Sequence, residues 1–380
     1  MKKNKFEVAL WKRFACIFAV IGITVITCLG FRNEETDVSP TPPATLPDDD
    51  TYEYISLDDA CIAVNGFPWL ESGKLNRLKP DTNYSTGVDK NAKCTAGGRI
   101  RFCTDSPSIH IWGKYGNIMV VPWFSDYGAN GMDIYANGKW QLTLSPTDKE
   151  ITGTLEIPNT SPPKMADIEI VLPNYASVEE IMIGVVPGSS IELPKPYTIQ
   201  KPIVFYGSSI TQGCAASRPS LTFPYLVAAY FDADFVNEGF SGSALGEQSV
   251  AVDIAEIDAS AYVLEYDHNA ETTEKLRATH YEFYHTIRAA HPETPIVLLS
   301  RISGGYSIGL EETSQRDAVI RSTYEKAVSD GDKNIYFIDG CDISEGNAQM
   351  LADGTHPNDY GMQAIAAAVI QCLRESETFP

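Results

Sequence analysis

The chain has 380 residues, 43% of them hydrophobic, with 29 basic against 50 acidic side chains and a net charge of −21. That length and apolar content can bury two cores of ordinary size and exclude a disordered composition. The acidic excess repels phosphate backbones, which argues against nucleic acid as a partner, and it fits a soluble exported protein acting on neutral substrates.

The elements begin with a targeting layout. Lys2, Lys3, Lys5, Lys12 and Arg13 precede an apolar run from Phe14 to Ile26. A basic start followed by a short hydrophobic segment reads as a secretory signal and is short for a membrane span. VITC at 25–28 resembles a bacterial lipobox with Cys28 as the lipidated residue, although Thr27 departs from the small residue usual before the cysteine. The expectation is an exported lipoprotein, periplasmic or at the cell surface, that touches membrane only through this anchor. Simple secretion or an uncleaved anchor are the alternatives. Asn33 to Thr51 is acidic and proline-rich, the composition of an extended tether. The expected divisions are a signal at 1–28, a linker at 29–51, and folded bodies at 52–197 and 198–380. Beyond Cys28 the cysteines are Cys61, Cys94, Cys103, Cys214, Cys341 and Cys372, with no dense disulfide spacing. Neither CxxC nor HExxH occurs, so no metal site is expected.

From Tyr52 to Tyr197 the pattern is all-β. RIRFCTDS (99–106), SIHIWGKY (108–115), MDIYANGKWQLTL (132–144) and ADIEIVLP (166–173) alternate as half-buried strands do, and NGK at 137–139 signals a hairpin. Strands at turn-punctuated spacing predict a sandwich. Trp69, Trp112, Trp123 and Trp140 fall here. Such rings can stack on sugars, but aromatic residues more often fill cores, and core is the expectation.

After LPKPYTIQKP (193–202) strands and helices alternate. The runs PIVFY, DFVNEG, AYVLEY, PIVLLS and NIYFID read as strands. Helices are predicted near 222–231, over 272–290, over 313–329 and over 361–373. Such alternation implies a parallel sheet with helices on both faces, whose chemistry sits at the carboxyl ends of the strands.

YGSSITQG at 206–213 follows the first of these strands. A serine at that corner can be a nucleophile or a cap that satisfies helix N–H groups. A nucleophile needs a base. Of the six histidines, His110 lies in a strand, and His280, His285 and His291 lie on or at the end of one helical pattern, where a solvated or core role is expected. Only His268 and His356 occupy loops at strand or helix ends. Asp353 stands three residues before His356 in DGTHPND (353–359), so one loop can supply both base and orienting carboxylate. The plainer alternative is a helix-capping turn.

These residues carry a resemblance. GSSITQG at 207–213 resembles the nucleophile block of the SGNH (GDSL-type) hydrolases, NEGFSG at 237–242 their second block, EYDHN at 265–269 their third, and DGTHP at 353–357 their last. The blocks stand in the family's order. The β-rich first body, with GMDIY at 131–135, is similar to the sandwich of a two-domain bacterial branch. The resemblance implies a three-layer, flavodoxin-like α/β fold preceded by a jelly-roll-like sandwich. It implies Ser209 as nucleophile, His356 as base and Asp353 as its orienter. The oxyanion donors carried over are the Ser209 and Gly242 N–H groups and the Asn269 amide. There are two departures. Ser208 replaces the family's aspartate, and DHN at 267–269 replaces a glycine-containing approach to the asparagine, so that His268 is a candidate to enter the substrate cleft. An α/β-hydrolase elbow, GxSxG, is disfavoured by Thr211 in its last position. The implied activity is an esterase without cofactor that removes acyl groups, acetyl foremost, from oligo- or polysaccharides. The alternatives are a lipid or thioester acylhydrolase, or a degenerate glycan-binding surface protein.

Overall fold

The structure, a computed structural model, describes residues 50–70, 74–80, 82–157, 164–302, 307–344 and 346–380. The expected signal, Cys28 and all of the tether before residue 50 lie outside the described residues. Both bodies described below belong to one compact unit.

Alternating apolar positions build the first body. Its strands are β1 (Glu53–Ile55), β2 (Ala63–Asn65), β3 (Arg99–Thr104), β4 (Ser108–Tyr115), β5 (Met132–Ala136), β6 (Lys139–Leu144), β7 (Glu150–Glu156), β8 (Ala166–Val171), β9 (Val178–Val185) and β10 (Ile191–Glu192). One antiparallel sheet runs β1-β9-β4-β7 and a second runs β10-β3-β8-β5-β6, with β2 added on β3. Every second residue faces inward. Ile100, Phe102, Ile134, Ile168 and Ile170 of one sheet join Ile109, Ile111, Ile151 and Ile183 of the other in a single core. The β5–β6 hairpin turns on Asn137 and Gly138, both at positive φ (52° and 72°), which fits the asparagine-glycine signal. Two short helices, α1 (Thr86–Ala92) and α2 (Asp126–Asn130), lie in the connections.

The second body is a five-stranded parallel sheet in the order β12-β11-β13-β14-β15. The strands are β11 (Ile199–Gly207), β12 (Ala233–Gly239), β13 (Ala261–Glu265), β14 (Ile296–Leu299) and β15 (Ile335–Ile338). This is the flavodoxin-like order, the sequence's first strand lying second in the sheet. The helices are α3 (Ser209–Gln212), α4 (Phe223–Phe231), α5 (Gln248–Ile254), α6 (Thr273–Ala290), α7 (Leu310–Ser329), α8 (Gly340–Ser344) and α9 (Asp359–Glu375). Because the sheet is buried on both faces, its strands are apolar throughout. Val204, Tyr206, Leu264 and Leu298 face α5, α6 and α7 through Ile254, Phe283 and Ile320. Ile203, Phe205, Val263 and Val297 face α4 and α9 through Val227 and Val369. Among the described residues no helix is long and apolar enough to cross a membrane.

The sandwich is fixed to the sheet beside the strand ends that carry the site. Arg77, fully buried, donates from Nη1 to the carbonyls of Asn237 (2.5 Å) and Gly239 (2.8 Å), from Nε to Cys94 O (2.8 Å) and from Nη2 to Asn91 O (2.6 Å). One guanidinium thus saturates four carbonyls from both bodies. Arg77→Ala would leave those carbonyls buried without a donor, and a loss of about 3 kcal/mol or more in urea unfolding is expected. Tyr175 and Asn174, also from the first body, reach the 208–212 turn directly. The Tyr175 hydroxyl donates to Ser209 O at 3.2 Å, and Gln212 Nε2 donates to Asn174 O at 3.0 Å.

Candidate active site

Strand β11 ends at Gly207, and the chain turns at once into the single-turn helix α3. The two serines of this turn divide the two readings open to them. Ser208 is the cap: its Oγ accepts from Ile210 N–H at 3.1 Å. Ser209 begins the helix, and its Oγ lies 2.8 Å from His356 Nε2. His356 Nδ1 lies 2.8 Å from Asp353 Oδ2. The loop that carries this pair is closed on itself. Ala352 N–H donates to His356 O at 2.8 Å, Leu351 bridges Pro357, and Asp353 Oδ1 accepts from the Thr355 and His356 N–H groups at 2.9 and 2.8 Å. Asn358 then caps α9 through Tyr360 and Gly361 N–H. The DGTHPND segment therefore does two structural things on different residues: Asn358 caps α9, while the Asp353 carboxylate holds the His356 ring.

Burial alone would lower the His356 pKa and raise that of Asp353. Burial is the largest single influence on each, but the hydrogen bond and charge each supplies to the other, joined by the His356 and Thr355 N–H groups on the carboxylate and by Cys214 beside the imidazole, together outweigh it. Together they bring Asp353 down to about 2 and push His356 up to about 10. The pair thus favours a protonated imidazole beside an ionised carboxylate.

Gly242 and Asn269 come from the carboxyl ends of the two strands flanking β11. Gly242 has φ 66°, and a Cβ placed there would meet nothing within 4 Å, so the turn is open at that point. Its N–H has no partner among the described residues. Asn269 Oδ1 accepts from Ala244 N–H at 3.2 Å, which fixes the amide and leaves Nδ2 as its outward donor.

His268 does not stand open in a cleft. Its side chain is 4% exposed, with Nε2 3.7 Å from both Glu265 Oε1 and Asp267 Oδ1. Burial, reinforced by Arg301, holds its pKa well below 6.5, so the ring is neutral. Glu265, Asp267 and His268 each bring a donor atom within 4.8 Å of the others. The set does not fit a resident cation. Arg301 Nε, 3.7 Å from Asp267 Oδ1, and Arg316, which donates to Asp267 O at 2.6 Å, already supply positive charge, while Glu265 is committed to hydroxyls of the nucleophile turn. The remaining histidines have structural partners. His110 contacts Tyr54 and Thr152, His280 contacts Thr323, His291 contacts Ala255 O, and His285 stacks on Tyr281.

The core expectation for the tryptophans fails at two positions. Trp112 is buried and Trp69 is partly buried against the core, but Trp123 and Trp140 are 43% and 46% exposed. Trp140 lies under Arg218. Trp123 stacks flat on His356, ring centroids 5.4 Å apart and planes at 19°. The sandwich therefore contributes a wall of the site, through a residue that no motif in the sequence marks.

Two family models match the chain. The GDSL-like lipase/acylhydrolase family matches residues 200–374, and the N-terminus of SGNH-type esterases matches residues 52–191. No curated protein matches. Among solved structures, a Bacteroides ovatus protein described as a GDSL-like lipase is 26% identical with a TM-score of 0.76, the match covering 85% of this chain and 97% of that one. A salicylyl acyltransferase from a tetracycline biosynthetic pathway is 19% identical (TM-score 0.73; 87% and 99% covered). An acetyl xylan esterase from the rumen bacterium Butyrivibrio proteoclasticus is 11% identical (TM-score 0.57; 85% and 98% covered), a likeness of fold. Matched in both bodies, with the parallel sheet and the antiparallel body before it, the chain belongs to the SGNH-type, GDSL-like hydrolase family.

Proposed function

We propose that the protein is a serine esterase that hydrolyses acyl esters of carbohydrates, acetyl esters foremost, with Ser209 as nucleophile, His356 as general base and Asp353 as its orienter. One observation carries the reading: the unbroken Ser209–His356–Asp353 chain, 2.8 Å at both links. His356 Nε2 takes the hydroxyl proton as Ser209 Oγ attacks the ester carbonyl. The Ser209 and Gly242 N–H groups and Asn269 Nδ2 receive the developing oxyanion, each donor being worth about 10²–10³ in rate. His356 returns the proton to the leaving alcohol. It then deprotonates a water that attacks the acyl-enzyme and frees the acid.

Two features support a sugar as the alcohol. Trp123 stacks on the base and is still 43% exposed, so its uncovered indole surface offers an aromatic platform beside His356 for a sugar ring. The structural neighbour named as an acetyl xylan esterase shares the arrangement of both bodies. Trp123→Ala is expected to lower kcat/KM on acetylated oligosaccharides about fivefold to tenfold more than on p-nitrophenyl acetate, roughly the 1 kcal/mol of one aromatic contact. The proposal is tested on acetylated oligosaccharides and nitrophenyl esters of increasing acyl length. Acetate release that vanishes in Ser209→Ala supports it, and turnover confined to long-chain esters refutes the carbohydrate reading.

A further inference from the structure

Ser208 stands where the family's nucleophile block carries an aspartate, and the fold brings a carboxylate to the same turn from the next strand. In the β11–β13 pairing Gly207 lies opposite Glu265. Glu265 Oε2 accepts from the Ser208 hydroxyl (2.9 Å), the Thr211 hydroxyl (2.9 Å) and the Ser208 N–H (3.3 Å), and Glu265 O accepts from the same N–H at 3.0 Å. The two hydroxyls belong to residues on either side of Ser209. With its own O–H spent on Glu265, Ser208 Oγ still accepts from Ile210 N–H, so the carboxylate also sets the cap that starts α3. Gly207 makes room for this arrangement. A Cβ there would fall 2.1 Å from Thr211 Oγ1, 2.3 Å from Glu265 O and 2.9 Å from Glu265 Oε2.

We infer that Glu265 is a positioning residue for the nucleophile, replacing across the strand pairing the carboxylate that Ser208 lacks, and holding the 207–211 turn so that Ser209 Oγ meets His356. The inference rests on the esterase reading of Ser209. A carboxylate suits the place because it only accepts, and three donors converge on it, whereas an amide would turn two N–H groups toward some of them. Burial, with Asp267 adding, pushes Glu265 up to about 7, and the Ser208 and Thr211 donors pull the other way. His268 is the other titratable group facing it.

The test uses a p-nitrophenyl alkylphosphonate, which reads the nucleophile without any assumption about the natural ester. Ser209 Oγ forms a bond to phosphorus, the bond from phosphorus to the aryl oxygen breaks, nitrophenolate leaves and His356 keeps the proton. The rate constant per folded molecule is measured beside the melting temperature. Glu265→Gln is expected to slow phosphonylation roughly 10–100-fold, as a misplaced reacting atom does. Its kcat on aryl acetate should fall with KM within about twofold. The relocated carboxylate, Ser208→Asp with Glu265→Gln, is expected to recover most of the rate. If Glu265→Gln does not fold, Thr211→Val, which removes one donor and leaves the carboxylate, should slow the reaction severalfold. A lowered melting temperature with an unchanged rate constant, or no recovery in the relocated variant, would overturn the inference alone. A wild-type protein that does not react at Ser209 would overturn the esterase reading and this inference with it.

Discussion

Ser209→Ala is expected to lower kcat/KM on aryl or sugar acetates by roughly 10⁴–10⁶-fold, the range for removing a nucleophile whose triad acts as a unit. The fold should survive the change. Ser209 Oγ has His356 as its hydrogen-bond partner, and the turn around it is held by Ser208, Thr211 and Tyr175. Its neighbour supplies the control. Ser208→Ala removes the cap and two contacts to Glu265, so a loss of about 1–2 kcal/mol of stability is expected, with hydrolysis reduced about tenfold at most. Steady-state kinetics and urea unfolding on the two variants separate the roles. Activity that survives Ser209→Ala and vanishes in Ser208→Ala would exchange the assignments.

Much of this site was legible because the Ser209, Gly242 and His356 segments lie in short loops punctuated by glycine or proline. Asp353 and His356 could be paired from sequence because one loop carries both, and the structure closes that loop on itself. Glu265 could not be found that way. AYVLEY reads as a buried strand, and an acid at its end looks like the start of a loop; only the three donors arriving from residues 208–211 explain why it is buried. Trp123 was hidden for a related reason. Its neighbours Pro122 and Phe124 suggest nothing but a turn, and its contact with His356 depends on the docking of the two bodies, through Arg77, Tyr175 and Gln212 among other contacts. Elements with weak local signals were missed as well. Strand β9 carries Glu179 and Glu180 just after Val178 and before its apolar stretch, and α7 begins at Leu310 rather than Thr313, its first turn occupied by Glu311 and Glu312. Acidic residues there favour a helix N-terminus, a cue that outweighs the polar appearance of the segment.

Asp353→Asn is expected to lower the maximal rate by about 10⁴-fold, because the amide can donate to His356 Nδ1 and so favours the tautomer that puts the proton on Nε2, where the base must be free. The pH profile gives a second, independent signature. His356 must be neutral to accept the Ser209 proton, so kcat/KM rises with pH through its pKa and falls as pH drops below it. Burial lowers that pKa, and Asp353, with Cys214 adding, more than offsets it and carries it above 6.5, to about 10. The wild-type acid limb should therefore lie on the alkaline side of 6.5. Removing the carboxylate charge leaves burial as the larger influence, so the limb should move to lower pH even as the rate at every pH falls. A general loss of structure would depress the rate without moving the limb in that direction. Profiles of kcat/KM for p-nitrophenyl acetate, taken on both proteins, decide the matter. A limb that stays in place in Asp353→Asn would mean that another group, with Glu265 at about 7 the first to examine, governs the acid side of the reaction.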